Sequence, residues 1–557
     1  MRLAYRGTKS IFQADLCRAV KYWPERLVIQ KDLGNVQSIS FTQSHRKVSE
    51  TLIMHARSDR RFSGPTAVAA LISLFIFVYV AMRAAMISIT HDEALTYAWH
   101  VTGDWLKIVL FRTPGLPDNN HVLHTLLCKI SVSLLGLSEL TLRIPSLLGC
   151  LLYLLGLNLC LRRIIPGWLQ VFGLLAIGLN PYVLDFLGLA RGYGLGLGFT
   201  MVGLAALLAS LAESPGKIRQ APAQLSMILF SLATLSNLSF LLVMGASLAV
   251  MFIAFVYAAI HARRESVPSG LPLMMLLKIV MPVFPVLAYL LIPLKIIHDN
   301  KLFDMGGHTG FWEDTVNSLT WGTLYDSKWL TDQDWMMDAW IIATLFVLPF
   351  VLWALSRSDR RRFTALSVIV AMTAIIVTES LVQHALLNVA FLQGRRGIFL
   401  IPLFMLASLT LCGLPKKSPL WIAVAGWIAG AAVPAILGVN GLQSTNLQYV
   451  SDWKNDAGNR NVMLAIKEII LREKPSSPLH MRVDWVFEPT TNFYRHTLGL
   501  ESSLLPLDRK GLDGPADLYY GMAIDEGAIS KKGVRLVRRE PVSGAVLFES
   551  VKPVVGR

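Results

Sequence analysis

PTAVAALISLFIFVYVAMRAAMISI, residues Pro65–Ile89, is followed after Thr90 by His91-Asp92-Glu93-Ala94. An apolar run of this length suits a helix that crosses roughly 30 Å of hydrocarbon at about 1.5 Å per residue. Arg57, Arg60 and Arg61 stand just before it, and basic residues mark the cytoplasmic end of a span. The helix therefore leaves the cytoplasm and delivers an acidic motif to the far face. A polytopic, all-α membrane domain is the fold this stretch predicts.

Composition agrees. Of 557 residues 54% are hydrophobic and 16% charged, with mean hydropathy +0.51, whereas soluble domains carry roughly 25% charged residues. The net charge of +15 gathers beside apolar runs, which makes the lipid bilayer a partner and argues against nucleic acid. Cys17, Cys128, Cys150, Cys160 and Cys412 show no paired spacing, so neither a disulfide framework nor a zinc knuckle is expected. The first 64 residues hold 12 Lys/Arg against 5 Asp/Glu and carry no signal-peptide pattern; they are expected as a cytoplasmic basic extension.

Charge parity extends the topology. His121–Leu137 is short, has Lys129 in its middle, and reads as an interfacial helix; Leu140–Leu161 returns to Arg162 and Arg163. Trp168–Val183, Tyr193–Leu211, a tight pair within Leu225–Ile260, Leu271–Ile297, Met337–Leu355, Phe363–Leu381, Gly397–Leu411 and Leu420–Val439 follow. With the first helix these make about eleven spans, with the short basic clusters on one side. The domain of 65–439 then gives way to the mixed charge of 440–557, expected as an extracytoplasmic α/β domain: helical spacing over Asn461–Glu473, strands within His480–Phe487, Val534–Val537 and Ala545–Phe548.

Several chemically capable residues fall on the same face as His91, Asp92 and Glu93. Asn119, Asn120, His121 and His124 come from the next loop, Asp185 and Arg191 from the turn between the third and fourth spans, and Arg395 and Arg396 from the segment before Gly397. A carboxylate can accept a proton from an attacking hydroxyl, and arginines can hold a phosphate bidentately. His121 and His124 share a helix face and leave a divalent metal open, with a plain polar face as the alternative. Gly192, Gly194, Gly196 and Gly198 lie within a span and read as close helix packing rather than a nucleotide loop. The aromatic stretch from Phe311 to Trp335 reads as an interfacial belt, with sugar or lipid stacking as the alternative.

On these residues the chain resembles the GT-C superfamily of integral membrane glycosyltransferases, which includes protein O-mannosyltransferases and lipid A aminoarabinose transferases. The resemblance covers about Pro65 to Val439 and rests on His91-Asp92-Glu93-Ala94, Asn119-Asn120-His121, Leu142-Arg143-Ile144-Pro145-Ser146, Asn180-Pro181 and Ala190-Arg191-Gly192-Tyr193. It implies transfer of a sugar, with inversion, from a polyprenyl-phosphate donor to an extracytoplasmic acceptor in a bacterial cytoplasmic membrane. Asp92 would be the general base, supported by His91 and Glu93; Arg191, Arg395 and Arg396 would hold the donor phosphate; Asn120, His121, Asp185 and Tyr193 would line the substrate site. Two departures stand out. His121-Val122-Leu123 replaces the His-Pro-Pro of many relatives, and Leu189 occupies a position often held by Glu, a gap that Asp185 would fill.

Two rival readings remain open at this level: a lipid-linked sugar flippase, which would favour midplane charges and repeated halves, and an oligosaccharide polymerase or ligase of similar architecture. The topology is directly testable by labelling single cysteines in intact cells on a cysteine-free background. Cysteines at Asn119, Lys301 and Lys531 should react with a membrane-impermeant reagent and one at Arg361 should not; the opposite pattern inverts the topology.

Overall fold

The computed structural model describes residues 64–551 apart from 166, 212–216, 265–272, 305, 326, 331–332 and 413–418. The expected basic extension of 1–64, Cys17, and the clusters at Arg57–Arg61 and Lys416–Lys417 therefore lie outside the described residues, save Gly64.

Among the described residues eight helices are long and apolar enough to cross a membrane: Gly64–Met86, Glu139–Ile164, Tyr193–Leu211, Leu238–His261, Leu273–Asp299, Asp334–Ser358, Arg360–Leu387 and Leu420–Gln443. A ninth is made if the pair Leu169–Gly178 and Pro181–Gly188, bent by 67°, counts as one. The eleven expected spans all appear as helical segments, but two are short: Gln220–Ser236 has 17 residues and Leu400–Thr410 has 11. Nearly every residue of Leu400–Thr410 is buried, and burial among other helices demands the same apolar composition as contact with lipid. Val122–Leu135, 14 residues long, spans only about 21 Å.

Asn180-Pro181 causes the bend. Proline has no N–H to extend the preceding helix, so the chain restarts there, with the Asn180 side chain accepting from Val183 N at 3.0 Å. The Leu179 carbonyl left at the break faces Gly441, where a Cβ would lie 2.0 Å from it. The glycines after Arg191 do pack helices. A Cβ on Gly149 would lie 2.4 Å from Gly194 backbone, and one on Gly198 2.4 Å from the Gly149 carbonyl, so Glu139–Ile164 and Tyr193–Leu211 meet backbone to backbone.

Beyond residue 443 lies a small α/β unit. Its sheet has order β1-β2-β4-β3, from Met481–Val483 (β1), Leu518–Gly521 (β2), Val534–Arg539 (β3) and Val546–Ser550 (β4). β1 and β2 are parallel and the other pairs antiparallel. Helix Asn459–Glu473 covers the sheet with Val462, Met463, Ile466, Ile469 and Ile470, the apolar stripe read from the sequence. β2 and the helix Glu488–Thr497 are additions to that reading. The unit's core is continuous with Ile89, Ala94 and Val101 around the acidic motif, and Tyr494 bridges the two, accepting from Ile89 N at 2.8 Å and donating to Glu139 Oε1 at 2.9 Å.

The motif itself is anchored by a buried ion pair. Arg143 donates from Nε and Nη2 to Glu93 at 2.8 and 2.6 Å and caps the end of the first helix through the carbonyls of Ala84, Ile87 and Ser88. Glu93 also accepts from the backbone N–H groups of Thr90 and Ala190. Breaking a buried pair strands the surviving charge, a loss of about 3–5 kcal/mol. Glu93→Gln should therefore lower the thermal unfolding temperature of the purified protein markedly. Unchanged unfolding would remove Glu93 from this anchoring role.

Candidate active site

Thr90 caps the short helix His91–Leu95, which runs on as a π-turn, Thr96–Val101. Its three polar residues turn three ways. Glu93 is fully buried and spent on Arg143. His91 turns toward the C-terminal unit, its Nδ1 2.7 Å from the Val486 carbonyl and its ring against Trp485. Asp92 alone faces the other loops, with 17% of its side chain exposed.

Asp92 Oδ2 sits 3.2 Å from Arg191 Nη2 and 3.0 Å from Arg395 Nη2. Burial pushes its carboxyl up, but Arg191 and then Arg395 outweigh that and hold it below the ordinary carboxylate range. Arg191 is fixed by Asn119 Oδ1 and Thr96 Oγ1 and is followed by Gly192, whose φ of +71° brings it against the Ser236 carbonyl. Arg395 reaches further. Its Nη1 lies 3.4 Å from Asp452 Oδ2 and its Cζ 4.8 Å from the Trp453 ring centre. The result is an alternating row, Arg191, Asp92, Arg395, Asp452, in which Arg395 and Asp452 are 33% and 27% exposed and Arg191 forms the buried end.

The remaining predicted residues divide. His121 is buried at the start of the helix Val122–Leu135, 3.4 Å from Asn237 and edge-on to Tyr193; burial, then Arg191, keeps it neutral by lowering its pKa. His100, one turn beyond Thr96, is held down at about 4 by the same two causes. Asn120 donates to the Ile108 carbonyl at 2.8 Å. Tyr193 packs between His121 and Phe186.

Three of the expected residues are not drawn to Asp92. Arg396 makes no side-chain hydrogen bond or ion pair among the described residues and lies beside Gly306, because adjacent residues of the 3₁₀ turn Gly394–Gly397 point apart; Arg395 alone reaches Asp92. Asp185 does not join Asp92. It is paired with Arg83 and accepts from Tyr325 Oη at 2.9 Å and Ser451 N at 3.0 Å, so it anchors the first helix to the C-terminal unit. Glu93 is buried, with its carboxylate taken up by Arg143 and by the N–H groups of Thr90 and Ala190, so it positions the motif. His121 and His124 also do not converge on one point: His124 Nε2 turns to Ser146 at 3.2 Å, and among the described residues no group of three or more His, Cys, Asp or Glu could hold a metal ion.

Other residues of this region escaped the sequence reading. Arg83 was hidden in an apolar run, although a charge within a span is itself a signal. Asn119 takes Arg191, and Asp452, Trp453 and Asp456 belong to the polar segment Ser451–Asp456, which resembles the first motif in following a span with clustered acids.

No family model matches this chain, and no curated protein matches it. Among solved structures it is similar to ArnT from Cupriavidus metallidurans bound to undecaprenyl phosphate, with a TM-score of 0.45 and 15% identity over 89% of this chain and 100% of that one. The oligosaccharyltransferase of Archaeoglobus fulgidus, tethered with an acceptor peptide containing the NVT sequon, matches with TM-score 0.39 and 10% identity over 86% and 74%. Arabinosyltransferase EmbB from Mycobacterium smegmatis matches with TM-score 0.38 and 12% identity over 78% and 43%.

Asp456 supplies a pH test. It accepts from His91 N at 2.7 Å and Asn459 Nδ2 at 2.9 Å, yet burial, only partly opposed by these bonds, raises its pKa to about 8. The folded state therefore keeps a proton that the unfolded chain releases from about pH 4 upward. This group's contribution to stability should fall as pH rises from about 4 to about 8 and level off above. Thermal unfolding across that range should show a downward component in wild type that is absent in Asp456→Asn; an identical pH dependence in both proteins excludes it.

Proposed function

We propose that this chain is a membrane glycosyltransferase of the GT-C kind, moving a sugar from a polyprenyl-phosphate donor to an extracytoplasmic acceptor with inversion. The observation that carries the reading is Asp92 held between Arg191 and Arg395: a proton acceptor and two phosphate-binding groups share one point. A phosphodiester competes with Asp92 for the two guanidinium groups, whose planar forks suit phosphate oxygens. As the arginines turn to the phosphate, Asp92 loses the charges that depress its basicity. It then accepts the proton of the acceptor hydroxyl while the hydroxyl oxygen bonds to the anomeric carbon. The bond from that carbon to the phosphate oxygen breaks, and its electron pair leaves on the phosphate, where the arginines stabilise it.

Neutral His100 and His121 fit this arrangement because they add no charge beside Arg191. The active site faces away from the cytoplasm in this reading, and the acceptor approaches from that side.

Asp92→Asn keeps shape and loses basicity, and a positioned base contributes about 10²- to 10⁴-fold. Turnover of a polyprenyl-phosphate sugar by purified protein should drop by that factor with unfolding unchanged. Arg191→Lys, which keeps charge without the fork, should reduce kcat/KM for the donor less than Arg191→Ala does. Near-normal turnover of Asp92→Asn would overturn its assignment as base.

A further inference from the structure

Asp452 is supplied by the segment after the last span and meets the other terminal nitrogen of the Arg395 guanidinium, Nη1, while Asp92 holds Nη2. Its Oδ2 is 3.4 Å from Arg395 Nη1 and 3.3 Å from the Tyr182 hydroxyl. Trp453 covers the face of the same guanidinium, so two adjacent residues of the C-terminal segment hold one edge and one face of a group that the reaction uses. A site built only to grip phosphate gains nothing from an additional carboxylate there. Two arginines facing two carboxylates carry no net charge.

We propose that Asp452 promotes release of the polyprenyl phosphate product by opposing the charge that appears when the sugar leaves. The inference rests on the transfer reading above. The donor is a phosphodiester with one negative charge. Once the bond to the anomeric carbon breaks, the product is a phosphomonoester, whose second ionisation near pH 6 brings it close to two charges in neutral solution. That extra charge strengthens attraction to Arg191 and Arg395 and would trap product in the site. A fixed negative charge at Nη1 of Arg395 cancels much of this gain, and it acts on the monoester more than on the diester because the Coulomb energy scales with ligand charge. Trp453 keeps the guanidinium in place, so Asp452 tunes the field at the phosphate and need not touch it.

The test compares two lipids that carry no sugar, undecaprenyl phosphate and its methyl phosphodiester, binding to the full chain in lipid nanodiscs at pH 8. For wild type, the monoester should bind within about threefold of the diester; a preference above about tenfold overturns the proposal without any variant. Asp452→Asn should tighten the monoester about tenfold or more and the diester by only about the square root of that factor, because the Coulomb energy doubles with the ligand's charge. Asp452→Glu, which keeps the charge, should behave as wild type. The proposal fails if the Asn variant binds the monoester no tighter than wild type, or if both lipids shift equally. A turnover arm separates this from the transfer reading. Added undecaprenyl phosphate should inhibit Asp452→Asn at about tenfold lower concentration than wild type, whereas absence of transfer from any polyprenyl-phosphate sugar overturns the transfer reading and leaves the binding comparison to judge the charge effect by itself.

Discussion

A carboxylate and a guanidinium removed from water together lose several kcal/mol of solvation each, and only close, fully hydrogen-bonded geometry returns it. Glu93 and Arg143 meet that demand with two direct bonds, three backbone carbonyls on the arginine and two backbone N–H groups on the acid. The consequence is positional. The end of the first span, the start of the second, the motif helix and the turn before Arg191 are all fixed to one ion pair. Asp92 is the next residue along, so its place relative to Arg191 follows from where Glu93 is held. A second buried pair, Arg83 with Asp185, does the same for the C-terminal segment by tying the Ser451 N–H and the Asn446 and Tyr449 carbonyls to the first helix.

Arginine sharing gives the site its resting state. Asp92 satisfies Arg191 and Arg395 until another anion competes for them, and in doing so it remains ionised. Such a site disfavours a neutral ligand at the guanidinium groups, because displacing Asp92 without replacing its charge leaves Arg191 without a carboxylate and Arg395 with Asp452 as its one remaining carboxylate partner among the described residues.

The helices were legible because hydropathy and charge parity act over twenty residues at a time. Leu400–Thr410 carried the same signal in a helix of 11 residues packed among its neighbours, shorter than the candidate spans. Asp92, Arg191 and Arg395 stood out as charged residues at helix ends, and they meet. Glu93, Asp185 and Arg396 carried an equal signal, but direction depends on side-chain geometry within a single turn: two sequential residues of one helix point about 100° apart, and sequence gives no rule for which of them faces the site. Asp452 and Asp456 lay beyond the boundary drawn at residue 439, where composition alone suggested an independent unit.

The core shared between the motif helix and the C-terminal unit also constrains the order of biosynthesis. Ile89 meets Tyr494 across 405 residues of chain, and His91 meets Asp456 across 365. On a ribosome adding about 5–20 residues per second, the first loop emerges some tens of seconds before the residues that cover it. Ile89, Ala94 and Val101 therefore wait for these partners while the remaining spans are inserted, and the motif helix is covered only after the chain up to Tyr494 has been made. Any factor that guards nascent apolar surface would find its natural client in that interval.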